Sequence, residues 1–507
     1  MSRLQKAFRG IATGYLLMGV NIVYTMASIP LALKYLSTEQ FGLWALVSQL
    51  AGYMQLMDLG MSGAVARILG DYKDDRDGGA YGSVLKTGAL VFLIQGIALA
   101  AVGAVLAITL SGIAGVPIHL QREFRFLMIG QSLLLAASLA TRAIGSPLWC
   151  HQRQDVVNLT SILMFVVSFA ALWMGFARGM GIYSLLLAGV SGLVLSVLVI
   201  LPISCRLGVY PAAGCWGRIT RTRFRELFDF AGSFFLLQLG TQLVGASQIV
   251  IISKTLGLET AAAWAVGTKI FTLAQQAVAK IFEGAAPGFS EMFVRGEREL
   301  LRTRFRQVVE ITGSLAVFVA IVGASLNSPF VTLWTHGKVA WSPTYDALMA
   351  ISTILVAITR CHTGLVGISK EIRGMRYIYL AEGILFVGLS VFLAPRWGIS
   401  GVLYSAIGAN LLCSGWYGFY RTAAEFNTSI LEPAFLWNRR FLVVAAFGVA
   451  LSGCAVWEGS RRSLTQLDLL AGGIALAAIS AALLWFIGLG PQLRRQLTEK
   501  IRNRSLI

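Results

Sequence analysis

Four basic residues stand inside otherwise apolar stretches of this sequence: Arg142, Lys269, Lys280 and Arg360. A cation at the centre of a membrane helix costs about 2.5–3.5 kcal/mol, so four facing lipid at the midplane would cost on the order of 10–14 kcal/mol. Such residues persist where they snorkel to the headgroups or line a wet cavity. In a cavity they attract anions. A guanidinium grips phosphate oxygens bidentately, and an ammonium acts as a compact point charge.

Lys269 and Lys280 are eleven residues apart, close to three helical turns. Both therefore project from one helix face, about 16 Å apart along the axis. Gln276 falls between them on that face and Glu283 extends it. This K-Q-K-E stripe reads as a cavity wall, or as two residues, Lys280 and Glu283, reaching the headgroups. Asn21, Thr25 and Ser28 form a second polar face, and Gln238, Thr241 and Gln242 a third. Such faces suit hydroxyl-rich ligands and equally suit hydrogen bonds between helices. Asp58, in Met57-Asp58-Leu59-Gly60, is the one aspartate well inside the apolar stretches of the first half. It is expected to pair with a nearby cation such as Arg67, or to take part in coupling.

The elements that must position these residues are membrane helices. The chain has 507 residues, 56% hydrophobic and 13% charged, with mean hydropathy +0.71. A soluble domain carries about 25% charged residues. Apolar runs of about 18–24 residues recur from end to end, each long enough to cross a ~30 Å hydrocarbon core. Only helices or a closed barrel satisfy the backbone there, and the alternation of barrel strands is absent. About fourteen spans follow, at 11–33, 43–66, 87–110, 124–146, 157–176, 183–205, 231–253, 261–284, 308–328, 345–367, 378–394, 400–420, 441–457 and 467–488.

With both termini cytoplasmic, inside segments hold about 29 of the 42 Lys and Arg, the positive-inside asymmetry of a multi-pass membrane protein. The net charge of +18 therefore speaks of loops facing anionic lipid, not of nucleic acid. Arg3, Lys6 and Arg9 precede a run too long for a cleaved signal, which reads as an uncleaved first span. The six cysteines are scattered without a CxxC pair, and no metal site is expected.

Residues 34–46 (KYLSTEQFGLWAL) are echoed by 254–266 (KTLGLETAAAWAV), with five identities at an offset of 220. Thr141-Arg142 recurs as Thr359-Arg360 at an offset of 218. A duplicated unit of six spans enters the membrane twice in the same orientation, as parallel repeats do. The expected layout is an N-lobe at 1–205, a cytoplasmic linker at 206–230, a C-lobe at 231–420, and two extra spans with a basic tail at 421–507. The duplication makes Arg142 and Arg360 equivalent, and a clamp for phosphate oxygens is expected from them. The alternative is that both snorkel. No phosphate loop of the G-x-x-x-x-G-K-[ST] type occurs, nor H-E-x-x-H, nor G-x-S-x-G, so neither an enzyme nor a cofactor is expected.

Leu36, Phe41, Gly42, Trp44, Tyr53, Asp58, Leu59, Gly60, Ala64 and Arg67 carry a pattern within residues 36–67. It resembles the opening of bacterial polysaccharide flippases of the O-antigen type. Those belong to the multidrug/oligosaccharidyl-lipid/polysaccharide exporter superfamily. The resemblance implies a two-lobed, all-α bundle working by alternating access. Its cargo would be an undecaprenyl-diphosphate-linked oligosaccharide for lipopolysaccharide or other surface polysaccharide biosynthesis. Partners implied are that lipid-linked oligosaccharide, membrane lipids, a glycan polymerase and other assembly proteins. Lipid II flippases of the superfamily share the span count and a cationic cavity. Drug-exporting relatives bind coupling cations at a first-lobe carboxylate, which span 1 here lacks. A membrane-embedded glycan polymerase or ligase is the rival from another class.

Overall fold

The computed structural model describes residues 3–72, 79–113, 116–151, 153–369, 372–436, 439–440, 442–449, 466–488, 490, 494–495 and 498. Among them every regular element is helical. The chain runs α1 (Arg3–Tyr35), α2 (Thr38–Met54), α3 (Met61–Asp71), α4 (Ala80–Ile113), α5 (Gln121–Cys150), α6 (Gln154–Ala177) and α7 (Ser184–Arg206). It continues through α8 (Arg221–Leu256), α9 (Leu258–Gly267), α10 (Lys269–Val294), α11 (Arg298–Trp334), α12 (Pro343–Ile368), α13 (Ile372–Asn410), α14 (Trp416–Glu425) and α15 (Gln466–Leu483). Ten helical stretches among the described residues are long and apolar enough to cross a membrane. The protein is a multi-pass, all-α membrane protein.

Two compact units divide the chain: residues 1–242 with 249–262, and residues 243–248 with 263–507. In the first, α4 packs on α5 and α6 on α7. Small residues let these backbones approach, as packing inside a bilayer requires. A methyl group built on Gly103 of α4 would lie 2.0 Å from Ser132 Oγ of α5. The core holds Met61, Val65, Leu69, Tyr81, Val84 and Phe92. Arg223, at the start of α8, donates to Glu226 Oε2 and Tyr72 Oη, each at 2.7 Å. The hydrogen bonds to Glu226 and Tyr72 raise its pKa.

In the second unit, α10, α11 and α12 pack together around Phe282, Phe289, Phe305 and Leu365. A separate cluster of Val317, Ile321, Val444, Leu476 and Leu484 holds α15 against α11. Most of the expected span 13 lies outside the described residues.

The echoed segments both turn out to be corners. In one, Ser37 caps α2 with Gln40, each side chain meeting the other's backbone N–H at 3.1 Å. This is a capping box, which ends one helix direction and starts another. In the other, Gly257 closes α8 at φ 90°, a backbone region that only glycine enters freely. The helix starts Thr38 and Leu258 lie 220 residues apart.

Four expected spans depart from one continuous helix each. The second breaks at Asp58-Leu59-Gly60, where Leu59 (φ 50°) and Gly60 (φ 79°) are both left-handed. The eighth breaks between Gly267 and Lys269, giving α9 and α10. Spans 11 and 12 join in one apolar stretch, Gly374–Glu425. Gly398 (φ 59°, ψ −140°) interrupts it, and a methyl on Gly401 would meet the Leu393 carbonyl at 2.4 Å. The chain therefore reverses there.

Candidate functional site

Freed backbone groups at the two helix breaks need partners inside a membrane. At the first break, Gln95 Nε2 donates to the Asp58 carbonyl at 3.1 Å. The Asp58 carboxylate accepts from Ser62 N–H at 3.3 Å and from Ser62 Oγ at 2.7 Å, capping α3. At the second, Asn327 Nδ2 donates to the Gly267 carbonyl at 2.9 Å and to Asp346 Oδ1 at 2.6 Å. Trp341 Nε1 donates to that same carboxylate oxygen at 2.6 Å. Each break is thus held by an amide side chain and a carboxylate from its own unit.

Arg142, on α5, meets the first of these. Its Nη1 lies 3.1 Å from Asp58 Oδ1 and donates to Ser62 Oγ at 2.8 Å. The expectation for Asp58 is a nearby cation such as Arg67; Arg142 is such a cation, and the Arg67 side chain lies outside the described residues. Ser62, Ser138, Thr141, Arg142, Ser146, Trp149 and Ser196 help line a cavity of about 440 Å³ within the first unit. It combines one paired cation, several hydroxyls and one large aromatic ring.

Arg360, on α12, has a different setting. Its Nη2 lies 3.7 Å from Glu283 Oε1, and Lys280 Nζ lies 2.5 Å from Glu283 Oε2. Two cations share one carboxylate, so the cluster keeps a net positive charge. The guanidinium side chain is 58% exposed. Lys269 is half-buried at the first position of α10. A cation there opposes the helix dipole, at about 0.3–1 kcal/mol. Gln276, Lys280 and Glu283 follow on the exposed side of α10, while Phe271, Val278 and Phe282 are buried. The stripe read from spacing is therefore one helix face.

The other polar faces are mixed. Thr25 is buried and its carbonyl accepts from Ser28 Oγ at 3.4 Å, while Asn21 is half-buried. Gln242 Nε2 donates to the Gly52 carbonyl at 3.2 Å, a tie within the first unit. Gln238 is exposed, and its carbonyl accepts from Thr241 Oγ1 at 2.8 Å.

Sequence reasoning passed over two buried carboxylates, Asp346 and Glu382. Glu382, on α13, accepts from the Ser414 N–H at 3.1 Å and lies 3.5 Å from Asn410 Nδ2. Asn410 Oδ1 in turn accepts from Thr359 Oγ1, next to Arg360, at 3.2 Å. Ser414 sits in a π-helical turn, Leu411–Gly415. The insertion cost that singled out the four cations would have singled out Glu382. An apolar groove of about 680 Å³ is a further feature, lined by Phe271, Phe318, Phe330, Trp334 and Ile474 among others.

The fold is that of multi-span transporters. A MATE-family multidrug transporter of the MOP superfamily, in its inward-facing conformation, superposes with TM-score 0.67 at 13% identity, covering 80% of this chain and 95% of that one. The lipid II flippase MurJ, inward closed, gives 0.65 at 12% identity, covering 94% and 98%. The Vibrio cholerae MATE transporter VcmN, in its bent form, gives 0.54 at 15%, covering 85% and 98%. No curated protein matches the sequence significantly. A family profile described as "Polysaccharide biosynthesis protein" matches residues 11–293, more than half the chain. The chain belongs to that family of polysaccharide biosynthesis proteins.

Proposed function

We propose that this protein flips an undecaprenyl-diphosphate-linked oligosaccharide across the bacterial inner membrane, by alternating access, for surface polysaccharide biosynthesis. The observation that carries the reading is the family match over residues 11–293. Fold likeness alone is shared with drug exporters and supports a transporter of any of these cargoes.

The site chemistry supports the same cargo. Arg360 and Lys280 supply positive charge for a diphosphate, and among the described residues Glu283 is the one carboxylate within 4 Å of either; Lys269 adds a cation three turns earlier on α10. A cationic site prefers anionic headgroups to zwitterionic ones. The apolar groove beside α15 is roomy enough for part of a polyprenyl chain. Binding alone gives no direction; the inward and outward states must differ in affinity for the cargo.

The test is a deletion strain. Loss of surface glycan, with lipid-linked intermediate accumulating on the cytoplasmic leaflet, supports the flippase. Intact surface glycan with new sensitivity to dyes makes the protein an exporter instead. A second reading, lipid II transport, is favoured by the coverage of 94% of this chain by MurJ. It predicts that this gene rescues a cell depleted of its own lipid II flippase.

A further inference from the structure

Arg142 and Arg360 occupy equivalent positions in the sequence repeat, yet their surroundings differ in a way that decides which part of a glycolipid each can take. Arg142 is already met by Asp58, at 3.1 Å, so its corner of the first-unit cavity is close to neutral. A diphosphate there would face the Asp58 carboxylate as well as the guanidinium. The cavity wall argues in the same direction. Thr141 Oγ1 donates to the Ala137 carbonyl at 2.9 Å, and Ser146 Oγ donates to the Arg142 carbonyl at 3.0 Å. With their protons committed, these hydroxyls offer only acceptor lone pairs. Ionised phosphate oxygens are themselves acceptors only and gain nothing from these two hydroxyls, while Ser138 and Ser196, also in the lining, suit either ligand. A sugar hydroxyl donates to Thr141 and Ser146, and can also accept from the Arg142 guanidinium, which carries five N–H donors and lines the same cavity.

Trp149 supplies the remaining element. It lines the same cavity and is 56% exposed. An indole face packs against the apolar C–H face of a pyranose while the ring hydroxyls turn to polar partners. The volume, about 440 Å³, falls within the ordinary range for small-ligand sites, about 300–1,000 Å³. A methyl group built on Gly145, in the cavity lining, meets nothing within 4 Å, so the space beside it is open.

We infer that this first-unit cavity is a subsite for neutral pyranose rings, with Trp149 as platform, and that the diphosphate belongs to the Arg360–Lys280 cluster. The assignment rests on the reading of the chain as a carrier of lipid-linked sugar, which it divides between two sites.

The test uses the full chain in phosphatidylcholine nanodiscs and measures binding of maltose, lactose and chitobiose, and separately of inorganic pyrophosphate. Gly145→Leu fills the cavity without a backbone clash, and Trp149→Ala removes the platform. Both are expected to weaken binding of the preferred disaccharide by about tenfold or more and to leave pyrophosphate binding unchanged. Trp149→Phe, which keeps an aromatic face, is expected to retain most of it. Arg360→Gln with Lys280→Gln is expected to show the opposite pattern. Absence of binding for all three disaccharides overturns the subsite, as does binding unaffected by Gly145→Leu. Loss of pyrophosphate binding in Gly145→Leu also overturns it. The flippase reading fails separately, by unchanged surface glycan in the deletion strain, and that result leaves the binding measurements to decide the subsite.

Discussion

Arg142 Nη1 and Asp58 Oδ1 lie 3.1 Å apart, joining α5 to the break between α2 and α3. The pair shares Ser62, whose hydroxyl accepts from the arginine and donates to the carboxylate. The Asp58 carboxylate therefore does two jobs: it caps α3 and neutralises Arg142.

Asp58→Ala is expected to destabilise the first unit by about 1–2 kcal/mol, mainly through loss of the cap. The two side chains are only 34% and 17% exposed, so the variant also leaves Arg142 without its carboxylate in an apolar stretch, which adds to the loss. A double-mutant cycle with Arg142→Ala, read by thermal unfolding of purified protein, should show non-additivity. Strict additivity would mean that the two side chains do not act together.

Glu283 is the only carboxylate bonded to Lys280 and the only one within 4 Å of Arg360 among the described residues. Glu283→Gln should therefore strengthen pyrophosphate binding and steepen its loss with added salt. Arg360→Gln with Lys280→Gln should abolish that binding and the surface glycan together, at normal protein level. Weaker binding in Glu283→Gln would assign the carboxylate a supporting role.

Asn327→Leu should destabilise the second unit by about 2–4 kcal/mol, because it strands both the Gly267 carbonyl and part of the Asp346 carboxylate in a buried site. Asp346→Asn should be much milder, since an amide oxygen can still accept from Trp341. Equal unfolding temperatures for Asn327→Leu and the parent protein would refute the bond's structural role.

Gly42→Ala should destabilise through overpacking, by about 1–3 kcal/mol. Its methyl would stand 1.9 Å from the Leu258 carbonyl oxygen, a backbone atom that cannot rotate away. Gly245→Ala, where a methyl meets nothing within 4 Å, is the control and should be neutral or stabilising. Unfolding midpoints of the two variants decide the point.

The K-Q-K-E stripe was legible because helical periodicity is a local property: Gln276, Lys280 and Glu283 do share one exposed face of α10. The break just before Lys269 was not. Gly267 and Thr268 sit inside an apolar run, and the group that makes the break tolerable, Asn327, comes from 60 residues away. Arg142 as a partner of Asp58 is not legible for the same reason. Arg67 is close along the chain, but Arg142 is brought in by the packing of α3 on α5. Glu382 is legible by the same local rule, a charge inside an apolar run, but its partner Ser414 lies 32 residues away.

By itself the sequence determined the solvent and the helical class. A bilayer tests each segment of about 20 residues on its own, so hydropathy alone identifies a multi-span helical protein. Capping and glycine geometry are equally local, which is why the repeated motif, at 34–46 and 254–266, marks two helix corners. Only the tertiary structure decided what each buried charge means. Arg142 and Arg360 match in the repeat, yet one is neutralised by Asp58 and the other competes with Lys280 for Glu283. An ion pair forms only where the two groups come within about 4 Å, and no spacing along the chain reports which helices come that close.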